Sequence, residues 1–316
     1  MKKALPPIHH SLLLNAQSAD SSTAWSMEFT VLRSQNGFTR RSELTAILEK
    51  RDPQSGSLLR KIVRLQLPFP EDLTSPQDLV GKAWSLGQIR SQDSCFSGQV
   101  RAPDGDFIWD LAFPNGHPLD YSPLPRWVHH HTLSTQIPIQ GSWQIGDWKW
   151  SSQQTPVLGS LHIRQDLGRI FPTVRFHSQL LRESAGGVQH CADGIHIPIF
   201  PALTQIAAFD ALKGNPHLSL WRALRSRMQR DDRGWHFRAE QGKQELRGKL
   251  EVEPKHWTSL RFEDTRGSVF YRTSTRMAEL EILVLSRGKP QGHFKSSKTT
   301  WLEWTSRTRP DSVDIY

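Results

Sequence analysis

Apolar and polar residues alternate along most of this chain in short runs, each closed by a turn signal, and that pattern predicts strands rather than helices. Trp25 to Arg33, Arg41 to Glu49, Leu58 to Leu67, Trp84 to Ser91, Cys95 to Ala102 and Asp106 to Phe113 are such runs. Between them lie Gln35-Asn36-Gly37, Pro103-Asp104-Gly105 and Pro114-Asn115-Gly116, the Asp-Gly pair being a strong hairpin cue. The rhythm continues through Trp127 to Ile139, Gly141 to Trp150 and Val157 to Asp166. It resumes at Gly234 to Ala239, Gln244 to Val252, Trp257 to Glu263, Val269 to Arg272, Met277 to Leu285 and Thr299 to Trp304. Long helices do not alternate with these runs, so a barrel or sandwich is expected, not a parallel α/β sheet. Two stretches depart from the rhythm. Residues 1–23 are polar and proline-bearing and read as a flexible arm, and over 202–230 Ile206, Phe209, Leu212, Leu218, Trp221, Leu224 and Met228 fit a helical spacing better, broken at Gly214-Asn215-Pro216.

The segment from Gly159 to Gln179 carries polar side chains at strand period. Arg175, His177 and Gln179 fall on one face of a strand whose other face holds Val174, Phe176 and Ser178, and His162, Arg164 and Asp166 do the same one strand earlier. An antiparallel pair joined across Gly168 to Pro172 would gather an acid, two guanidiniums and two imidazoles. On a cavity wall this is the composition of a small-molecule site; facing water, it is only a solvated surface.

This segment resembles the signature of the double lipocalin-like proteins: glycine, an aromatic or histidine, an acid, glycine, then Phe171-Pro172 and an alternating run ending in Gln179. That superfamily includes carotenoid 1,2-hydratases, tocopherol cyclases, pericyclic cyclases of natural-product pathways and AttH-type proteins. The chain departs from it at Leu167, where a tryptophan is usual, and at Arg175, where aromatics are usual. The resemblance implies an all-β fold of two tandem lipocalin-like barrels packed together. It implies a cofactor-independent cyclase, isomerase or hydratase acting on a hydrophobic isoprenoid, polyene or polyketide-derived molecule near the barrel interface. A non-catalytic carrier of a hydrophobic ligand is the competing reading. Gln140 to Gly146 leading through Gly159 to Asp166, and Ala278 to Gly288 leading through Gly292 to Trp301-Leu302-Glu303-Trp304, each read as strand, glycine turn and acid-bearing strand. With the family's duplicated barrel, this supports an arm over 1–23, a first barrel over 24–187 and a second over 188–316.

Each candidate residue has a plainer alternative. Asp166 is the candidate general acid, because burial in an apolar cavity would raise its proton affinity; alternatively it pins the turn by pairing with Arg169 or Arg175. His177 is a candidate base or hydrogen-bond donor, and Arg175 a bidentate partner for an anionic carbonyl or carboxylate. His162, Arg164, Gln179, Phe176, Trp127, His129 and His131 are candidate substrate contacts, a buried histidine satisfied by a backbone carbonyl being the alternative. Of His129-His130-His131 only the outer two share a strand face, without an acid or cysteine at a helpful spacing, so no metal is expected. No other cofactor is expected either, because phosphate loop, nucleophile elbow and nicotinamide fingerprint are all missing from the sequence.

The 12 Trp and 14 Phe compensate a hydrophobic content of 36%, so an aromatic-rich core is expected over these 316 residues. A net charge of +9 favours an anionic partner: a substrate bearing an anionic group, a membrane surface touched peripherally, or nucleic acid. Trp143, Trp148 and Trp150 near Lys149, and Trp221 and Trp235 among arginines, keep a single-strand-binding module in view, but without a recognised motif nucleic acid is not favoured. Cys95 and Cys191 read as buried free thiols of a cytoplasmic protein, and the interrupted N-terminus does not read as a signal peptide.

Overall fold

The computed structural model describes residues 7–34, 36, 39–73, 75, 77–114, 117–118, 128–166, 173–184, 189–197, 203–210, 221–223, 227–231, 233–311, 313 and 315–316. In chain order its strands begin with β1 (Ile8–Ser18), β2 (Thr23–Arg33), β3 (Arg40–Arg51), β4 (Leu58–Leu67), β5 (Trp84–Leu86), β6 (Ile89–Gln92) and β7 (Cys95–Ala102). There follow β8 (Gly105–Ala112), β9 (His117–Pro118), β10 (Val128–Pro138), β11 (Gln140–Ile145), β12 (Trp148–Ser151) and β13 (Val157–Asp166). The remainder comprises β14 (Thr173–Glu183), β15 (Gln189–Ile197), β16 (Leu203–Asp210), β17 (Trp221–Ala223), β18 (Arg227–Arg230), β19 (Gly234–Gln241), β20 (Gln244–Glu251), β21 (Thr258–Glu263), β22 (Val269–Ser286) and β23 (Lys289–Ser306). Helix is confined, among the described residues, to Asp78–Gly81 and a 3₁₀ turn at Pro254–His256.

Cα packing divides the chain into two units, Met1–Ile170 with Glu263–Ser268, and Phe171–Phe262 with Val269–Tyr316. The first holds two curled antiparallel sheets, ordered β4-β3-β2-β1-β13-β10-β9 and β12-β11-β8-β7-β6-β5. Its core lies between them: Leu12, Leu14 and Ala16 of β1, Trp25, Met27, Phe29 and Val31 of β2, and Phe107, Trp109, Trp143 and Trp150 from the other sheet. The rings interlock, Trp25 meeting Trp150 edge-on at 5.4 Å and Phe29 stacking on Trp84 at 4.6 Å. The second unit is one sheet, β17-β16-β15-β14-β23-β22-β20-β19-β18, with β21 also pairing β22. Its core includes Val174, Phe176, Phe237, Leu250, Leu280 and Leu302.

Three expectations are corrected here. The N-terminal arm is instead a buried strand from Ile8 to Ser18, at the centre of its sheet between β2 and β13. Its core-facing Ile8, Leu12, Leu14 and Ala16 alternate with His9, Ser11, Asn15 and Gln17, and those polar residues, buried on the other face, made it read as solvent-exposed. In the described parts of 202–230 the helical spacing is overridden by the strand β16 and by the short strands β17 and β18, because β15 offers β16 a full ladder from Ile197↔Leu203 to His190↔Asp210. Leu212, Leu218 and Leu224 lie outside the described residues. A boundary at residue 187 would cut between β14 and β15, which pair from Val174↔His196 to Arg182↔Gln189, and the packing divides the chain between Ile170 and Phe171. The strand ends at Leu58 and Leu67, Cys95 and Ala102, and Val157 and Asp166 fall where the alternation places them.

Candidate functional site

β13 and β14 do not pair. β13 lies between β1 and β10, β14 between β15 and β23, so the hairpin expected across Gly168 to Pro172 does not form. What each strand has instead is a buried polar face on the side of its own sheet away from the apolar core.

In the first unit the register places rows of residues side by side on that face. Thr45, Glu28, Leu13 and His162 form one row across β3, β2, β1 and β13; Glu43, Thr30, Ser11 and Arg164 form the next. Arg164 Nη1 donates to Glu28 Oε1 at 3.3 Å over the intervening strand, and the Ser11 hydroxyl donates to the same oxygen at 2.7 Å. Both charges are withdrawn from water, at 3% and 7% exposure, so each depends on such partners. His162 is fully buried with Nε2 2.7 Å from Ser160 Oγ. Ser160, Asn15, Ser26 and Ile47 make the third row.

In the second unit Arg175 stands opposite Glu303 of β23, and His177 between Asp193 of β15 and Trp301 of β23. Arg175, His177, Gln179, Asp193 and Glu303 are all buried. Arg272 Nε lies 3.7 Å from Glu303 Oε2, and Arg276 Nη2 donates to Ser274 Oγ at 3.2 Å. His177 Nδ1 is 4.0 Å from Asp193 Oδ2, beyond hydrogen-bond reach. Burial pushes the His177 imidazole down to about 3, so it is neutral at physiological pH and can offer an N–H or a lone pair but not a positive charge.

Phe176, expected among the substrate contacts, lies in the second unit's core, stacked on Phe237 at 5.4 Å. The alternation that turns Arg175 and His177 one way turns Phe176 the other. Trp127 lies outside the described residues, as do the side chains of His129, His131 and Asp166. Their backbone places His129 opposite Gln165, His131 opposite Ile163 and Asp166 opposite Val128. Glu28, Ser11, Asn15, Asp193 and Glu303 were missed, since a polar residue alternating with core residues also reads as a solvated face. Glu303 had a signal, the acid within Trp301-Leu302-Glu303-Trp304. Trp143 and Trp150 are buried core residues and cannot stack on bases. Among the described residues no three His, Cys, Asp or Glu side chains group as metal ligands, and no helix is long and apolar enough to cross a membrane.

Among the solved structures similar to the chain are the following three. Kievitone hydratase from Nectria haematococca is 9% identical with a TM-score of 0.53, over 93% of this chain and 88% of that one. CghA, solved with Sch210972, is 10% identical with a TM-score of 0.54, over 96% and 90%. The fold is all-β and lipocalin-like. An AttH protein from Nitrosomonas europaea is 12% identical over 98% of both chains, with a TM-score of 0.48. No protein-family model matches the chain, and no curated protein matches it.

Proposed function

We propose that this protein is an enzyme of the hydratase or cyclase kind, acting without a cofactor on a hydrophobic small molecule such as an isoprenoid, polyene or polyketide-derived compound. The observation that carries the reading is the burial of arginine, histidine and acid together on the non-core face of β14 and its neighbours. A solvated strand face has no use for a neutral, buried imidazole, whereas a reaction that develops charge on an oxygen does. Fixed N–H donors in a site without water stabilise such charge with no cost of reorganisation. In this reading His177 donates to a substrate carbonyl or hydroxyl, and Arg175 supplies the positive charge for an oxyanion or carboxylate. Glu303 and Arg272 hold the Arg175 region in place by charge balance. On the first unit's own polar face, Asp166 at the end of β13 is the proposed proton donor, as addition of water to an alkene or protonation of a polyene requires, with His162 and Arg164 as proposed substrate contacts. On the second unit's face Gln179 is the proposed contact beside His177. Hydratase and CghA folds similar to this one lend support at the level of fold alone.

The test is incubation with a panel of acyclic polyenes, prenylated phenols and polyene-bearing β-dicarbonyls, read by mass spectrometry for gain of one water or for an isobaric product. Asp166→Asn should keep melting temperature and binding while lowering the single-turnover rate. Tight binding of panel members with no product from any of them would make the protein a carrier.

A further inference from the structure

The third row of the first unit's polar face contains a side chain with nothing to bond to. Asn15, on the central strand β1, is 2% exposed, and neither its Oδ1 nor its Nδ2 has a hydrogen-bond partner. Its cross-strand neighbours are Ser26 and Ser160, hydroxyl residues within the 4.5–5.5 Å that separates such pairs. Neither satisfies it, and the Ser160 hydroxyl is engaged with His162. Each of the other polar groups detailed on this face, Ser11, Glu28, Arg164 and His162, has a partner. A buried amide that gives up water on both its donor and its acceptor is costly, and a leucine of nearly the same shape would avoid that cost. The orphaned pair therefore points to a group that arrives from outside the fold.

We propose that Asn15 is a substrate-recognition residue, its Oδ1 and Nδ2 bonding to a neutral group that carries an acceptor and a donor on neighbouring atoms. Carboxamides, protonated carboxylic acids and hydroxyl groups beside a carbonyl have that arrangement; ethers, esters and hydrocarbons do not. The inference rests on reading this face as part of a substrate site, and it adds the substrate's polar head to that reading. Leu13 in the adjacent row and Ile47 at the end of Asn15's own row, both buried and both outside the apolar core cluster, suit the carbon skeleton next to that head.

The experiment uses two probes of the same chain length, decanamide and N,N-dimethyldecanamide, the second keeping the acceptor and losing the donor. Calorimetric titration of the full chain should show decanamide bound about tenfold more tightly, the effect of one unmade buried hydrogen bond. Asn15→Leu should abolish that preference and leave the melting temperature equal or higher, because it removes an unsatisfied amide. Asn15→Ala supplies the same comparison should the leucine variant fail to fold. Equal affinity of the two probes for the unaltered protein, or a preference that survives in either variant, would overturn the role of Asn15 alone. A large fall in melting temperature in both variants, with the preference intact, would make the amide structural. Binding of neither probe would overturn the reading of this face as a substrate site along with the role of Asn15.

Discussion

His177 shows how one residue's surroundings decide its chemistry. Fully buried and too far from Asp193 for a hydrogen bond, it loses the hydration that would support a charge, and its proton affinity falls to about 3. A base with so weak a conjugate affinity abstracts protons poorly at neutral pH, so its value lies in hydrogen bonding. His177→Gln, which keeps a donor, should retain most of the single-turnover rate, and His177→Leu should lower it about 10²-fold. Equal rates in both variants would take His177 out of the mechanism. The motif around His177 was readable as a polar strand face, but the imidazole's neutrality was not, because it depends on strands more than a hundred residues away, including Trp301.

At the scale of elements, the second unit's core is set by ring against glycine. Phe176 pairs across from Gly194, and Phe237 across from Gly248, and a methyl group built on either glycine would run into the facing ring. Gly248→Ala is expected to cost about 1–3 kcal/mol in urea denaturation, as overpacking does, and an unchanged midpoint would show that the ring can move aside. β1 carries a larger expectation. It pairs on one edge with Leu12↔Ile163 and on the other with Leu12↔Phe29. Deleting residues 1–18 should therefore abolish cooperative unfolding of the first unit, whereas removal of a flexible arm would leave its circular dichroism and melting unchanged. The alternation in β1 was present in the sequence, but histidine, serine, asparagine and glutamine on its second face made a two-sided buried strand look like a solvated segment.

For the whole molecule, burial of histidine sets the response to acid. Burial pushes His10 down to about 4 against the opposing effect of its Nε2 contact with the Leu73 carbonyl at 3.3 Å, and burial lowers His196 as well. With His177 these three bind protons more readily in the unfolded chain. Their contribution is complete above the ordinary histidine value of about 6.5 and is lost as pH falls toward the folded values. Stability should drop by up to about 1.4 kcal/mol per pH unit for each histidine in that interval. To the slope that these histidines give between about pH 6.5 and 5, Glu253 and Asp78 add nothing, since hydrogen bonds from Lys298 and Lys82 hold their carboxyls down to about 2. Urea midpoints measured across that window should fall with acid, and less steeply in His177→Leu. A flat profile would mean that the buried rings are not neutral.

Local sequence was enough for the fold class and for most strands, because period-two alternation and Gly, Pro and Asn turns act within a few residues. It was also enough to single out His162, Arg164, Arg175, His177 and Gln179 as a polar set, and all five are buried. Tertiary structure decided which strand each polar run pairs with, since a hairpin between β13 and β14 and the observed ladders to β1, β10, β15 and β23 satisfy the same alternation equally well. It also decided that Glu28, Ser11, Asn15, Asp193 and Glu303 share those faces. Their positions follow from long-range register, and whether a polar face meets water or is buried is a property of the packed sheet, not of the strand.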